Sequence, residues 1–142
     1  MIGLDCNILV QLAIADHPAN AKTLAAVQVE TARGEKLMFP PLVATEFSHV
    51  VTDERRFSPP LTMNEAMQWL EDFLSSPSVG LVQPGDASLD LTLKWMRQHS
   101  LGRKRILDTH LAAVLYAAGV TRLLTSNPAD FAVFAELQTT SP

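Results

Sequence analysis

The chain has 142 residues, 47% of them hydrophobic and 18% charged, a composition of a packed globular domain and not of a disordered chain. Eleven basic against fifteen acidic residues leave a net charge of −4, and the single cysteine excludes an internal disulfide framework. The longest apolar run, Leu111 to Ala118, falls far short of the roughly 18 residues that cross a bilayer, and Met1 to Asp5 lacks the basic leader of a signal peptide. One soluble, cytoplasmic domain spanning residues 1–142 is the expectation.

Ile2 to Leu4 reads as a short buried strand that stops at Asp5, and Asn7 is placed to cap a helix through Ile8, Leu9 and Leu12. Asp16-His17-Pro18 breaks that helix. A second, from Ala19 to Arg33, ends at Gly34. Leu37-Met38-Phe39 is the next strand, and Pro41 suits the first turn of a helix through Val43, Phe47 and Val50. Arg56 to Pro60 reads as a loop. Thr62 to Glu65 is a capping box for a helix with Ala66, Trp69, Leu70 and Phe73 on one side. Val79 to Val82 is a third strand, Asp86 to His99 an amphipathic helix, and Asp108 to Ala118 a helix with an acid at its start and Gly119 past its end. Arg122 to Leu124 is a fourth strand running into the loop Thr125-Ser126-Asn127-Pro128, and a fifth is expected near Glu136-Leu137.

Strands alternating with helices indicate an α/β domain, its mostly parallel sheet of four to five strands covered on both faces. Ligands in such sheets bind beyond the carboxyl ends of the strands. Asp5 ends the first strand, Glu46 lies one or two turns into the helix after the second, Asp108 opens a later helix, and Asn127 and Asp130 follow the fourth strand. Each has an ordinary explanation alone: an N-cap for Asp5, a solvated helix face for Glu46, a helix-dipole partner for Asp108. Together they put several carboxylates on one rim, where a hard divalent cation such as Mg²⁺ or Mn²⁺ relieves the repulsion. An ion so held can ready a water, polarise a phosphodiester and stabilise the leaving oxygen, which makes phosphodiester hydrolysis the natural chemistry. Five of the bases (Lys94, Arg97, Arg103, Lys104 and Arg105) fall between Leu91 and Leu107 with no acid among them, and Arg55 and Arg56 form a second pair. The first stretch is either a solvated helix end or a phosphate-facing patch on an acidic protein.

These segments resemble the PIN-domain family, and within it the VapC-type toxin ribonucleases, over nearly the whole chain. The likeness rests on Leu4-Asp5-Cys6-Asn7-Ile8-Leu9-Val10, Ala44-Thr45-Glu46-Phe47, Ile106-Leu107-Asp108-Thr109-His110-Leu111-Ala112-Ala113 and Leu124-Thr125-Ser126-Asn127-Pro128-Ala129-Asp130-Phe131. Arg56-Phe57-Ser58-Pro59-Pro60-Leu61-Thr62 is similar to one subgroup. The resemblance implies an α/β/α sandwich, an Mg²⁺- or Mn²⁺-dependent endoribonuclease leaving a 5′-phosphate and a 3′-hydroxyl, a VapB-type antitoxin and a homodimer. It maps Asp5, Glu46 and Asp108 onto the acidic triad, Asn7 onto the residue that orients the first Asp, and Thr125 onto a hydroxyl near the site. Cys6 stands where Thr is usual, and Asn127 where many relatives carry a fourth acid, with Asp130 three residues on. Either Asp130 takes part through water or the site has three acids and holds a second metal weakly.

His17, His49, His99 and His110 show no paired ligand spacing and read as structural or surface residues, and Cys6 has no evident histidine partner. Trp69, Trp95 and Phe73 read as core or dimer contacts. Arg103, Lys104 and Arg105 are the candidate RNA contacts. Two other readings stay open: a degenerate PIN module that only binds protein or RNA, its chemistry weakened at Asn127, and a phosphotransfer domain with Asp5 as nucleophile. The absence of any Lys after Lys104 speaks against the phosphotransfer reading.

Overall fold

The computed structural model describes residues 1–142. Strands Ile2–Leu4 (β1), Leu37–Phe39 (β2), Val79–Leu81 (β3), Arg122–Leu124 (β4) and Gln138–Thr140 (β5) form one sheet in the order β3-β2-β1-β4-β5, and every neighbouring pair is parallel. The helices are Cys6–Ala13 (α1), Asn20–Ala32 (α2), Pro41–Val51 (α3), Met63–Ser75 (α4), Asp86–Gln98 (α5), Ile106–Ala117 (α6) and the short Pro128–Phe131 (α7). Strand order runs outward from β1 to β3, then the chain crosses back to lay β4 and β5 on the other side. Right-handed crossovers then put α1 to α4 on one face and α5 and α6 on the other. Packing agrees: α1 lies against α2 and α3, α3 against α4, and α5 against α6.

The inner strands are short apolar runs because both faces are covered. Ile2, Leu4, Leu37, Phe39 and Leu123 are all fully or almost fully buried. A Cβ built on Gly3 would lie 2.5 Å from Leu115 Cδ1, so glycine is what lets α6 sit directly on β1. Trp95 is core, stacked on Phe134 at 4.9 Å, while Trp69 is half-buried between Phe47 and Phe73, each at 4.9 Å. The capping box at Thr62 forms as expected: Thr62 Oγ1 accepts from the Glu65 amide at 3.2 Å, and Glu65 Oε2 from the Thr62 amide at 2.7 Å.

Three local expectations shift. Helix α1 starts at Cys6, so Asp5 and not Asn7 takes the N-cap position. Helix α6 starts two residues before Asp108, led by a 3-10 turn over Arg103–Arg105. The fifth strand lies at Gln138–Thr140, just past Glu136-Leu137; Leu137 closes a turn onto Phe134, and pairing begins with the Gln138 amide on Thr121. That edge strand is polar, so no apolar run marks it. No helix is long and apolar enough to cross a membrane.

Candidate active site

β1 sits between β2 and β4, so the carboxyl ends of β1 and β4 flank the point where strand order reverses. Asp5 follows β1 there, and Thr125 follows β4. Although Asp5 occupies the cap position of α1, its carboxylate makes no cap hydrogen bond. Oδ2 instead accepts from Thr125 Oγ1 and from Asn7 Nδ2, both at 2.6 Å. Asn7 Oδ1 in turn accepts from the Ser126 amide at 3.1 Å, and Thr125 Oγ1 from the Asn127 amide at 3.0 Å. Asn7 and Thr125 thus both contact the carboxylate of Asp5 directly and hold it against the loop after β4.

Asp5, Glu46, Asp108, Asn127 and Asp130 line one open cleft of about 570 Å³, delivered by β1, α3, α6 and the β4–α7 segment. Burial pushes the Asp5 carboxyl above its ordinary value, the Thr125 hydroxyl, the adjacent Cys6 amide and Asn7 oppose that, and the charge of Asp130 adds to it. Glu46 is raised by burial and then by the charges of Asp5 and Asp108, with Arg56 and His49 opposing. Asp108 is also raised, by burial first; Arg105 opposes this, while Asp5 and Asp130 reinforce it. Carboxylates that raise one another share a single field.

Arg105 meets that field from within. Its Nε lies 3.3 Å from Asp108 Oδ2 and its Nη1 3.4 Å from Asp130 Oδ1, yet Nε and Nη2 are buried without an aligned hydrogen-bond acceptor. The sequence places Arg105 with Arg103 and Lys104 as an RNA contact; the fold instead turns it in to the acidic rim and leaves those two exposed. Asp130 therefore belongs to the cleft as a fourth charge, half-exposed, and Asn127 contributes a carboxamide at its wall.

The donor set suits a hard divalent cation. All five groups offer oxygen, and the repulsion among the acids leaves a charge deficit that Arg105 and, near Glu46, Arg56 only partly cover. No three of the acids stand close enough together to enclose an ion by themselves. An Mg²⁺ ion here would be held by one or two of these carboxylates, completed by waters and substrate phosphate.

Cys6 is buried, and its thiol is pushed up by burial and by the neighbouring Glu46 and Asp5, so it stays protonated and inert, as expected. His110 is structural, its Nδ1 3.0 Å from Thr92 Oγ1 across the α5–α6 contact. His17 is not merely a surface residue: it lines the cleft, as do Arg56 and Phe57. Sequence reasoning also passed over Gln11. Buried on α1, Gln11 Nε2 donates to Ser126 Oγ at 2.8 Å and Oε1 accepts from Thr23 Oγ1 at 2.6 Å, bracing the loop that holds Asp5. The only sequence signal for it is a polar residue on the apolar face of α1.

The PIN domain family model matches residues 2–137. Ribonuclease VapC33 of Mycobacterium tuberculosis is 30% identical over 145 residues, spanning 100% of this chain and 98% of its own length. Ribonuclease VapC43 of the same organism is 28% identical over 148 residues, spanning 100% and 95%. Among solved structures, VapBC2 from Rickettsia felis bound to a DNA fragment from their promoter superposes with a TM-score of 0.72 at 19% identity, covering 99% of this chain and 98% of that one. Mycobacterium tuberculosis VapC20, a sarcin-ricin loop cleaving toxin, does so with a TM-score of 0.63 at 15% identity, covering 87% of each chain. These likenesses establish the same fold. From its matched motifs, its sheet order and its full-length similarity to VapC33, the chain belongs to the PIN-domain family, in the branch of the VapC ribonucleases.

Proposed function

We propose that this protein is an Mg²⁺- or Mn²⁺-dependent endoribonuclease toxin of the VapC type, acting on RNA in the cytoplasm and neutralised by a VapB-type antitoxin. The observation that carries the reading is the meeting of Asp5, Glu46, Asp108 and Asp130, from four separate segments, in one open cleft at the strand-order reversal. Full-length relatives named as VapC ribonucleases support the RNA substrate, and VapBC toxin–antitoxin structures among the fold neighbours support the antitoxin.

In this reading Asp5 and Asp108 are the principal ligands, with Asp130 and Asn127 at the outer edge. Asn7 and Thr125 hold Asp5 in one rotamer. When bound, the ion supplies a Lewis acid that polarises the phosphoryl oxygens and lowers the pKa of water. Glu46, its carboxyl held above the ordinary range, is suited to take the proton of the attacking water. Water oxygen joins phosphorus as the bond to the 3′ oxygen breaks, which leaves a 5′-phosphate and a 3′-hydroxyl. Arg103 and Lys104 meet the RNA backbone from the exposed turn before α6. Asp130, by supplying the charge that Asn127 lacks, favours catalysis over a degenerate binding module. A homodimer is part of the proposal: Leu89 and Leu93, exposed and four residues apart on α5, offer an apolar stripe for it.

Calorimetric titration with Mg²⁺ and with Mn²⁺, beside a cleavage assay on structured RNA, tests the reading in wild type and Asp108→Asn. Binding and cleavage in the wild type, both lost in the variant, are expected. A wild type that binds neither ion in the presence of RNA would overturn it, and binding without cleavage of any RNA would favour the degenerate module.

A further inference from the structure

A second cavity, of about 610 Å³, adjoins the acidic cleft and shares three wall residues with it: His17, Arg56 and Phe57. Two braced loops present them. Residues 52–60 leave α3 and return where the Leu61 amide donates to the Val51 carbonyl at 2.9 Å. Inside that loop Asp53, its carboxyl held below the ordinary range by Arg55, accepts from Arg55 at the amide (2.9 Å), Nε (3.0 Å) and Nη2 (3.2 Å). Arg55 is thereby engaged, whereas Arg56 reaches Asp53 only at 3.7 Å and stays exposed at the boundary between the two cavities. Opposite, the turn between α1 and α2 fixes His17. The Ala19 amide donates to its Nδ1 at 3.0 Å, so the ring carries its proton on Nε2 and offers one hydrogen-bond donor.

The three groups are a half-buried aromatic ring that packs on the core and lines both cavities, a fixed N–H donor and a guanidinium with spare donors, at the exit of a cleft read as holding a scissile phosphate. Stacking on an aromatic, an edge hydrogen bond and a phosphate contact are how proteins take an unpaired nucleotide. We infer that the second cavity is the subsite for the nucleotide next to the scissile bond, its base against Phe57 with an edge on His17 and its phosphate on Arg56. The inference rests on the ribonuclease reading. It makes this cavity a determinant of which unpaired base is tolerated beside the cut.

The test uses a twelve-nucleotide single-stranded RNA carrying 2-aminopurine at alternate positions, with Asp5→Asn protein so that the probe stays intact. Binding should quench the 2-aminopurine fluorescence. Phe57→Leu should abolish the quenching and weaken affinity about ten- to hundredfold, whereas Phe57→Tyr should keep both. Arg56→Gln, on an exposed side chain, should weaken binding and lower the slope of log affinity against log salt by about one. In otherwise wild-type protein with Mg²⁺, Phe57→Leu should raise KM for RNA cleavage far more than it lowers kcat. Unchanged quenching and affinity in Phe57→Leu would overturn the subsite. A wild type that cleaves no RNA would instead sink the ribonuclease reading, while the fluorescence arm still scores the cavity by itself.

Discussion

Glu46 is the clearest case of a side chain whose environment works against its own charge. It is half-buried, and Asp5 and Asp108 both raise its carboxyl. Glu46→Gln keeps the shape and removes the charge, so the metal-free protein should melt about 1–3 °C higher, a modest gain because the group is partly solvated. RNA cleavage should fall by at least about a hundredfold. Lower Tm with retained cleavage would make Glu46 a packing residue. The pH dependence follows from the same shifts. Asp5, Glu46 and Asp108 all bind protons more tightly folded than unfolded, so their cost to stability is absent below the ordinary values of 3.8 for Asp and 4.5 for Glu. It grows as pH rises through those values towards the raised ones. Cleavage needs these groups ionised, so its acid limb should lie above the ordinary carboxylate range and move to lower pH as Mg²⁺ is increased, since the ion competes with protons. A limb that ignores Mg²⁺ concentration would show that other groups control it.

The elements explain which of these groups could be recognised in advance. Asp5 was legible because a solid apolar run, Ile2 to Leu4, ends on an acid, and such a run reads as a strand whatever lies beside it. The capping box at Thr62 was legible because it is written in four consecutive residues. Asn7 admits two readings in the sequence, a helix cap and a partner of the first acid, since propensity alone does not tell a carboxamide that caps a helix from one that grips a neighbouring carboxylate; the fold makes it the partner. Arg105 parts from its sequence neighbours Arg103 and Lys104 because the 3-10 turn rotates the chain and brings its guanidinium to Asp108 and Asp130, a placement no local pattern carries. Gly3 is where strand and helix depend on each other most closely. An alanine methyl there would press on Leu115 Cδ1 at 2.5 Å and the Arg122 carbonyl at 3.3 Å. Gly3→Ala should cost about 1–3 kcal/mol in chemical denaturation, and cleavage should fall because β1 carries Asp5 at its end. Wild-type stability in that variant would mean that α6 can slide away from β1 freely.

In the molecule as a whole, the acidic cleft and the Arg122 cluster sit at opposite ends of the sheet and have opposite characters. At the amino-terminal ends of the strands, Arg122 Nη2 meets the buried Glu30 Oε1 at 2.9 Å and Nη1 reaches Glu35, which also takes the amino terminus of Met1. Charges there are matched. At the carboxyl ends four acids face Arg105, which is engaged, and Arg56, which is exposed at the rim, so the fold carries an electrostatic deficit where a cation and a phosphate would enter. Divalent cation should therefore stabilise the protein by mass action, about 2.7 kcal/mol at a hundredfold excess over Kd. Thermal denaturation with and without Mg²⁺ reads this directly: the wild type should shift upward and Asp108→Asn should not. Equal shifts in both would place the ion elsewhere.

Local pattern sufficed for the alternation of strands and helices, the capping box at Thr62 and the class of the sheet, because apolar runs, helix stops and a capping box are all written within a few consecutive residues. The three main acids stood out only as a group, by their places beyond the strand ends and by the family resemblance. Strand order, the return of Thr125 to Asp5 across 120 residues, the inward turn of Arg105, the bracing by Gln11 and the second cavity behind Phe57 came only from the tertiary structure. Each of these depends on segments far apart in the chain meeting in space, and the energy of such a meeting is absent from every local stretch that contributes to it.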